Sequence, residues 1–187
     1  MDSKAVIFDM DGLLIDSEPF WEDAGSETLL QFGKKLTAAE YHSSTGLRTE
    51  EWIEHWFRHF ALPMQDAPTA VNTIIQKAIE KIDANAEVFA GVDSIIPFFK
   101  ERGFQIGLAT SSPLSLVDVV LKKLDLQNSF DAIKGKAFVT LEIDESETSN
   151  KESKAKITIT NEKDLKLVYE GIISYYVNPL LFYYRLE

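Results

Sequence analysis

The chain has 187 residues, 30 acidic and 19 basic side chains, no cysteine and 45% hydrophobic residues: a globular composition, sufficient for one ordinary domain or a domain with a small insertion. A formal charge of −11 excludes non-specific binding to nucleic acid or to an anionic membrane, and the lack of cysteine excludes disulfides and thiolate metal sites. The apolar run Ala5-Val6-Ile7-Phe8 meets Asp9 too soon for an export signal, so a reducing, cytoplasmic location is expected.

That same run is a short, β-branched strand stopped by Asp9-Met10-Asp11-Gly12. From residue 18 to about 87 the pattern becomes helical. Trp52, Trp56 and Phe60 share one face, as do Val71, Ile74, Ile75, Ala78, Ile79 and Ile82. An amphipathic helix is expected over about 92–102, a second buried strand over 105–109, a helix over about 114–124 and a third short strand over 130–133. Strands alternating with helices imply a parallel sheet with crossovers, and the helical stretch after the first strand reads as an inserted cap. Beyond Lys134, residues 137–143 and 154–160 alternate as strands do, and 171–187 reads as strand-like or as a packing tail. That last segment is shorter than a membrane span and is interrupted by Asn178-Pro179 and Arg185.

The acidity is uneven. Residues 1–66 carry 13 acidic and 5 basic side chains, so most of the negative balance lies where the chain begins. Ligands of open parallel sheets bind outside the carboxyl ends of the strands. Two such ends carry polar groups here: Asp9 and Asp11 after the first strand, Thr110 and Ser111 after the second. Side chains two apart point the same way, so both aspartates can face the crevice while Met10 turns inward. Gly12 permits a tight turn, and hydroxyls and amides at Thr110-Ser111 complete an anion cradle before a helix. One carboxylate can attack phosphorus and a second can move the proton, provided a divalent cation offsets their repulsion of the phosphate.

The run Val6-Ile7-Phe8-Asp9-Met10-Asp11-Gly12-Leu13-Leu14-Ile15-Asp16-Ser17-Glu18-Pro19 resembles the first motif of the haloacid dehalogenase-like phosphatases. The resemblance is to their β-phosphoglucomutase-like branch, with its hexitol-phosphate and 2-deoxyglucose-6-phosphate phosphatases. Thr45-Gly46-Leu47-Arg48 resembles the substrate loop of that branch's cap, and Gly107-Leu108-Ala109-Thr110-Ser111-Ser112-Pro113 its second motif. Together these cover about residues 4–133. The resemblance implies an α/β, Rossmann-like parallel core (1–17 and 88–133) with an inserted α-helical cap (18–87). It implies Mg²⁺-dependent hydrolysis of a hexose or hexitol phosphate through an aspartyl-phosphate. Asp9 would be nucleophile and metal ligand; Asp11 would be acid/base and would offer its backbone carbonyl to the metal. Gly12, Thr110 and Ser111 would hold phosphate, while Arg48, Glu18 and Trp21 would meet the substrate from the cap.

A complete member continues with a Lys that pairs with the nucleophile and then with a strand ending in paired acids. Lys134 and Lys136 come earlier than that Lys, and only Phe138 to Ser146 is similar to the acidic strand. The core is therefore expected to be incomplete at its C-terminal end, with 134–187 replacing part of the sheet, and Asp144 or Glu145 is the candidate for the missing metal ligand. Two alternatives stay open: phosphoryl transfer back to sugar by a mutase, and a remnant without turnover. The partner implied is a small phosphate ester, and the expected state is a monomer that can associate through an exposed sheet edge. His55 and His59, one helical turn apart, lack the further ligands of a zinc site and read as cap residues.

Overall fold

The computed structural model describes residues 5–136 throughout and, as backbone strands, residues 138–143, 152–160, 167–174 and 185–186. The chain falls into two compact units, Met1–Asp16 with Glu87–Glu187, and Ser17–Ala86.

In the first unit, strand β1 (Ala5–Phe8) pairs in parallel with β2 (Gln105–Ala109), and β2 in parallel with β3 (Ala132–Lys134). Helix α5 (Val92–Glu101) leads into β2, and α6 (Leu114–Lys123) connects β2 to β3. Val6 and Phe8 stand opposite Ile106 and Leu108, and all four are buried. The Phe8 ring meets Phe99 of α5 and Phe130 edge to face, at 6.0 and 6.4 Å between centroids. Edge-to-face packing suits the ring quadrupoles, and a fully buried phenylalanine contributes about 1.5–3 kcal/mol through burial alone. The expected third strand is displaced by two residues for a local reason. Phe130 is used against Phe8, and Asp131 clasps Ile106, accepting its N–H at Oδ2 (2.7 Å) while donating its own N–H to the Ile106 carbonyl (2.7 Å). Strand pairing starts only beyond that clasp.

The sheet continues on the other side of β1 with the antiparallel strands β4 (Phe138–Ile143), β5 (Glu152–Thr160), β6 (Leu167–Ser174) and β7 (Arg185–Leu186). Its order is β3-β2-β1-β7-β6-β5-β4. The neighbour of β1 on that side is thus β7, which runs against it with Val6 opposite Arg185. The strand that is similar in sequence to an acidic-ended motif, β4, is the far edge. Four strand spacings put it roughly 19 Å from β1. Asp144 and Glu145 lie outside the described residues.

The second unit packs α1 (Glu18–Gln31), α2 (Ala38–Ser43), α3 (Thr49–His59), one 3₁₀ turn (Met64–Asp66) and α4 (Ala67–Asn85). Thr37 and Glu40 form a capping box at the start of α2, satisfying amides that the first turn leaves without intrahelical partners. The buried stripe of α4 is Ala70, Ile74, Ala78 and Ile82, spaced by four. It is narrower than the expected face, because Val71, Ile75 and Ile79 are only half-buried. Trp52 and Trp56 of α3 are buried, and the Trp52 ring lies so close to Gly25 of α1 that a Cβ there would meet it at 3.0 Å. His55 and His59 are exposed, each edge-on to Trp56. No described helix is long and apolar enough to cross a membrane.

Glu27 ties α1 to α4. Its carboxylate accepts from Lys77 Nζ at 2.5 Å and from Lys81 Nζ at 2.7 Å. These two hydrogen bonds lower its pKa to about 2. A depressed carboxylate contributes stability that is present above the unfolded-state value near 4.5 and is lost as pH falls towards 2. The side chain is 43% exposed, so solvent screening leaves the pair worth about 1 kcal/mol or less. Glu27→Gln should lower the denaturant midpoint at pH 7, with the difference from wild type shrinking below pH 4.5. An equal difference at both ends of the titration would contradict this role.

Candidate active site

The carboxyl ends of β1 and β2 lie side by side, Phe8 opposite Leu108, so the residues that follow each strand emerge together. Met10 is fully buried, with Asp9 exposed and Asp11 half-buried on either side of it. This is the alternation the sequence implied. The Asp9 Oδ1 atom accepts the Met10 N–H at 2.7 Å. Gly12 follows with φ of +70°, a left-handed conformation that glycine adopts without Cβ strain. It closes a tight turn in which the amides of Leu13, Leu14 and Ile15 all approach the Met10 carbonyl.

The carboxylate of Asp11 is held from β2. Its Oδ2 accepts the Thr110 hydroxyl at 3.1 Å and the Ser112 hydroxyl at 2.7 Å. Thr110 and Ser112 are 2% and 6% exposed, and the Ser112 N–H in turn donates to Thr110 Oγ1 at 3.1 Å. Two residues of one turn thereby fix one carboxylate oxygen, with hydroxyl-to-carboxylate bonds stronger than neutral ones.

This geometry revises several sequence expectations. Gly12 was expected to offer its N–H to an anion; that N–H donates instead to the Ile15 carbonyl at 3.0 Å. Thr110 is turned towards Asp11, and the exposed hydroxyl of the turn is that of Ser111. Neither caps α6, whose N-cap is Pro113 without a side-chain hydrogen bond. Ser112 was not singled out from sequence at all. The signal was there in its spacing, two residues after Thr110, which returns a side chain to the same side of an extended turn.

The other expected substrate residues, Arg48, Glu18 and Trp21, belong to the second unit. Arg48 stands at the N-cap of α3 and pairs with Glu51, its Nε at 3.2 Å from Oε1 and its NH2 group on the same oxygen. Those hydrogen bonds lower the Glu51 pKa. Glu18 opens α1, and Trp21 is half-buried one turn further on. Burial, followed by the charges of Glu18 and Glu22, pushes the Tyr41 phenol up to about 12.

Asp9 and Asp11 supply hard oxygen donors of the type Mg²⁺ takes, and an ion that keeps several waters needs only one or two carboxylates. The Asp11 Oδ2 is engaged by two hydroxyls and the Asp9 Oδ1 by the Met10 N–H. Among the described residues no group of three or more His, Asp or Glu side chains is placed to hold a metal ion.

Residues 6–145 match the sequence profile of the haloacid dehalogenase-like hydrolase family. Hexitol phosphatase B of Escherichia coli is 35% identical over 130 residues, covering 69% of this chain and 59% of that protein. A phosphorylated carbohydrates phosphatase of Thermotoga maritima is 28% identical over 131 residues, covering 70% and 60%. The chain thus spans about three fifths of the length of the curated relatives it matches. Among solved structures, a T. maritima protein assigned as a β-phosphoglucomutase has the same fold over 70% of this chain and 60% of its own, with a TM-score of 0.55 at 24% identity.

The hydroxyls of the Thr110–Ser112 turn make different commitments, which unfolding can read. Removing a bond to a half-buried carboxylate costs about 1.5 kcal/mol, whereas an exposed hydroxyl is worth less than about 0.5 kcal/mol. Ser112→Ala should therefore lower stability in urea at pH 7 well beyond Ser111→Ala. Equal effects would show that the Ser112–Asp11 bond holds nothing.

Proposed function

The chain belongs to the haloacid dehalogenase-like hydrolase family, and from that premise we propose that it hydrolyses a small phosphate monoester, a hexose or hexitol phosphate, with Asp9 as nucleophile and Asp11 as acid/base. The observation that carries this reading is the unequal treatment of the two carboxylates. Asp11 is locked by two buried hydroxyls, while Asp9 is exposed at the end of β1. A positioned proton carrier beside an accessible nucleophile is the division of labour that covalent phosphoryl transfer needs.

In the first half-reaction an Asp9 oxygen attacks phosphorus, the bond from phosphorus to the ester oxygen breaks, and Asp11 gives its proton to the departing alkoxide. In the second, Asp11 takes a proton from water as that water attacks the aspartyl-phosphate, releasing orthophosphate and restoring Asp9. The Thr110 and Ser112 hydroxyls keep Asp11 in one place through both transfers, which is worth more than any single contact when a proton must travel along a fixed line. Mg²⁺, held by Asp9 and the Asp11 carbonyl, would supply charge neutralisation between the carboxylates and the phosphoryl oxygens. The substrate class follows the names of the two curated relatives, hexitol and phosphorylated-carbohydrate phosphatases. In the second unit, Arg48, Glu18 and Trp21 would read the polyol; Arg48 would do so from its ion pair with Glu51.

The test is phosphate release from a panel of hexose and hexitol phosphates with Mg²⁺. Turnover is expected in the wild type and a loss of at least about three powers of ten in Asp9→Asn, since a nucleophile is removed outright. Isomerised sugar phosphate without orthophosphate would replace hydrolysis by mutase chemistry, and equal rates in both proteins would remove Asp9 from the reaction.

A further inference from the structure

An indole is a donor without acceptor capacity, so a buried tryptophan needs an oxygen for its one ring N–H. Trp56 of α3 is 2% exposed, and its Nε1–H donates to Ser44 Oγ at 3.2 Å. Ser44 follows the last residue of α2, lies 12 positions before Trp56, and is 3% exposed. Its own hydroxyl donates onward to the Tyr41 carbonyl at 2.9 Å, one of the last carbonyls of α2. A hydroxyl, with one proton and two lone pairs, can accept from the indole and donate to the helix end at once. The end of α2 is thereby bonded to the body of α3 across the loop that joins them.

The loop so closed faces solvent. Thr45, Gly46 and Leu47 are exposed, Leu47 with 43% of its surface. Its backbone is nevertheless well determined. The Thr45 N–H donates to the His42 carbonyl and the Leu47 N–H to the Ser44 carbonyl, each at 3.3 Å. Gly46 has φ of +91°, and a Cβ there would meet nothing within 4 Å, so the glycine serves the backbone conformation and not a close approach. At the far end the Arg48 carbonyl accepts the Trp52 N–H at 2.7 Å, and the Arg48 N–H donates to Glu51 Oε2 at 3.2 Å. Both ends of an exposed loop are thus tied to α3, one by backbone and carboxylate, the other by a buried hydroxyl. An untied loop would have to be ordered at the moment a ligand binds, at a cost in affinity.

We propose that Ser44 is a positioning residue for recognition by the 45–48 loop: its hydroxyl, held by Trp56, fixes where that loop presents Arg48. The assignment rests on the phosphatase reading, in which Arg48 meets the polyol, and adds to it a residue that acts through its neighbours. Four residues separate the tie at Ser44 from the helix that Arg48 starts, so a shift at Ser44 has little slack in which to be absorbed. Without the hydroxyl, the indole N–H is left buried with no acceptor, and a new partner requires entry of water or movement of the loop. Either change loosens the loop and moves its ordering cost to the binding step.

The experiment is calorimetric binding of glucitol 6-phosphate and of inorganic phosphate, with Mg²⁺, to the full chain carrying Asp9→Asn, which removes the nucleophile. Ser44→Ala, Ser44→Thr, Trp56→Phe, the double variant Ser44→Ala with Trp56→Phe, and Arg48→Ala are compared in that background, each well below its unfolding temperature. The ratio of the two affinities is read, because a loss of folded protein affects both ligands alike. Ser44→Ala and Trp56→Phe should each lower the preference for glucitol 6-phosphate about tenfold, the size of one coupled contact. The double variant should fall no further, since both changes remove the same bond. Ser44→Thr, which keeps the hydroxyl, should stay within a few-fold of the parent. An undiminished preference in Ser44→Ala and Trp56→Phe, when Arg48→Ala loses it, would overturn the assignment and leave Arg48 its role. Additive losses in the double variant, or a loss in Ser44→Thr equal to that in Ser44→Ala, would overturn it too. If Arg48→Ala keeps the preference, or the parent has none, the loop recognises nothing and the assignment falls; phosphate release by the wild type then still decides the hydrolase reading. A preference that depends on Ser44, in a chain whose wild type releases no phosphate, keeps the positioning role and removes the hydrolase reading.

Discussion

The first unit depends on how two parallel strands end. β1 and β2 run in register, Phe8 opposite Leu108, and the next few residues of each must either separate or bond to one another. They bond: Asp11 reaches from one strand end to Thr110 and Ser112 on the other. This crosslink at the strand ends has a hydrophobic foundation. Phe8, Met10 and Leu108 are almost wholly excluded from solvent directly beneath it, so the polar groups rest on a packed floor with little freedom to shift. A carboxylate placed that way is costly to leave unpaired and stiff once paired. The same two features that stabilise the strand ends therefore also hold one oxygen of the Asp11 carboxylate in place.

Much of this was legible in the residue order. The β1 and β2 boundaries, the inward turn of Met10 and the gathering of Asp9, Asp11, Thr110 and Ser111 at two neighbouring strand ends all follow from alternation and from the rule that polar residues gather at carboxyl ends of parallel strands. What was not legible is where each hydrogen bond goes. Gly12 was read as an amide donor for an anion, yet its N–H closes a local turn onto Ile15. Ser112 faces Asp11 while Ser111 faces solvent, an alternation that the spacing of Ser112 two residues after Thr110 carries but that a hydroxyl-rich Ser-Ser-Pro run does not advertise. The strand after Phe130 slipped by two residues for a similar reason, a side-chain clasp by Asp131 that propensity does not encode.

The far half of the sheet shows the limit of motif reading most plainly. Phe138 to Ser146 has a partial similarity to an acidic-ended strand, and Phe138–Ile143 is indeed a strand. Its antiparallel pairing to β5 carries it to the edge, while β7 takes the place beside β1 and runs the other way. Pairing partner and direction are properties of the whole sheet, and a six-residue pattern contains neither. The second unit is simpler: a narrow stripe of small and branched residues on α4, a tryptophan seated on Gly25, and a glutamate bridging two lysines. Its polar residues Arg48 and Glu18 sit at helix starts, positions where sequence reading is strong because capping chemistry is local.

Under the proposed function the exposed Asp9, and not the locked Asp11, forms the bond to phosphorus. A single-turnover reaction of the wild-type chain with a hexitol phosphate and Mg²⁺, quenched in acid and digested, tests it by mass spectrometry. The account predicts one transient phosphoryl group on the peptide containing Asp9, localised to that residue. Orthophosphate that accumulates without any covalent adduct, or an adduct localised to Asp11, would contradict it.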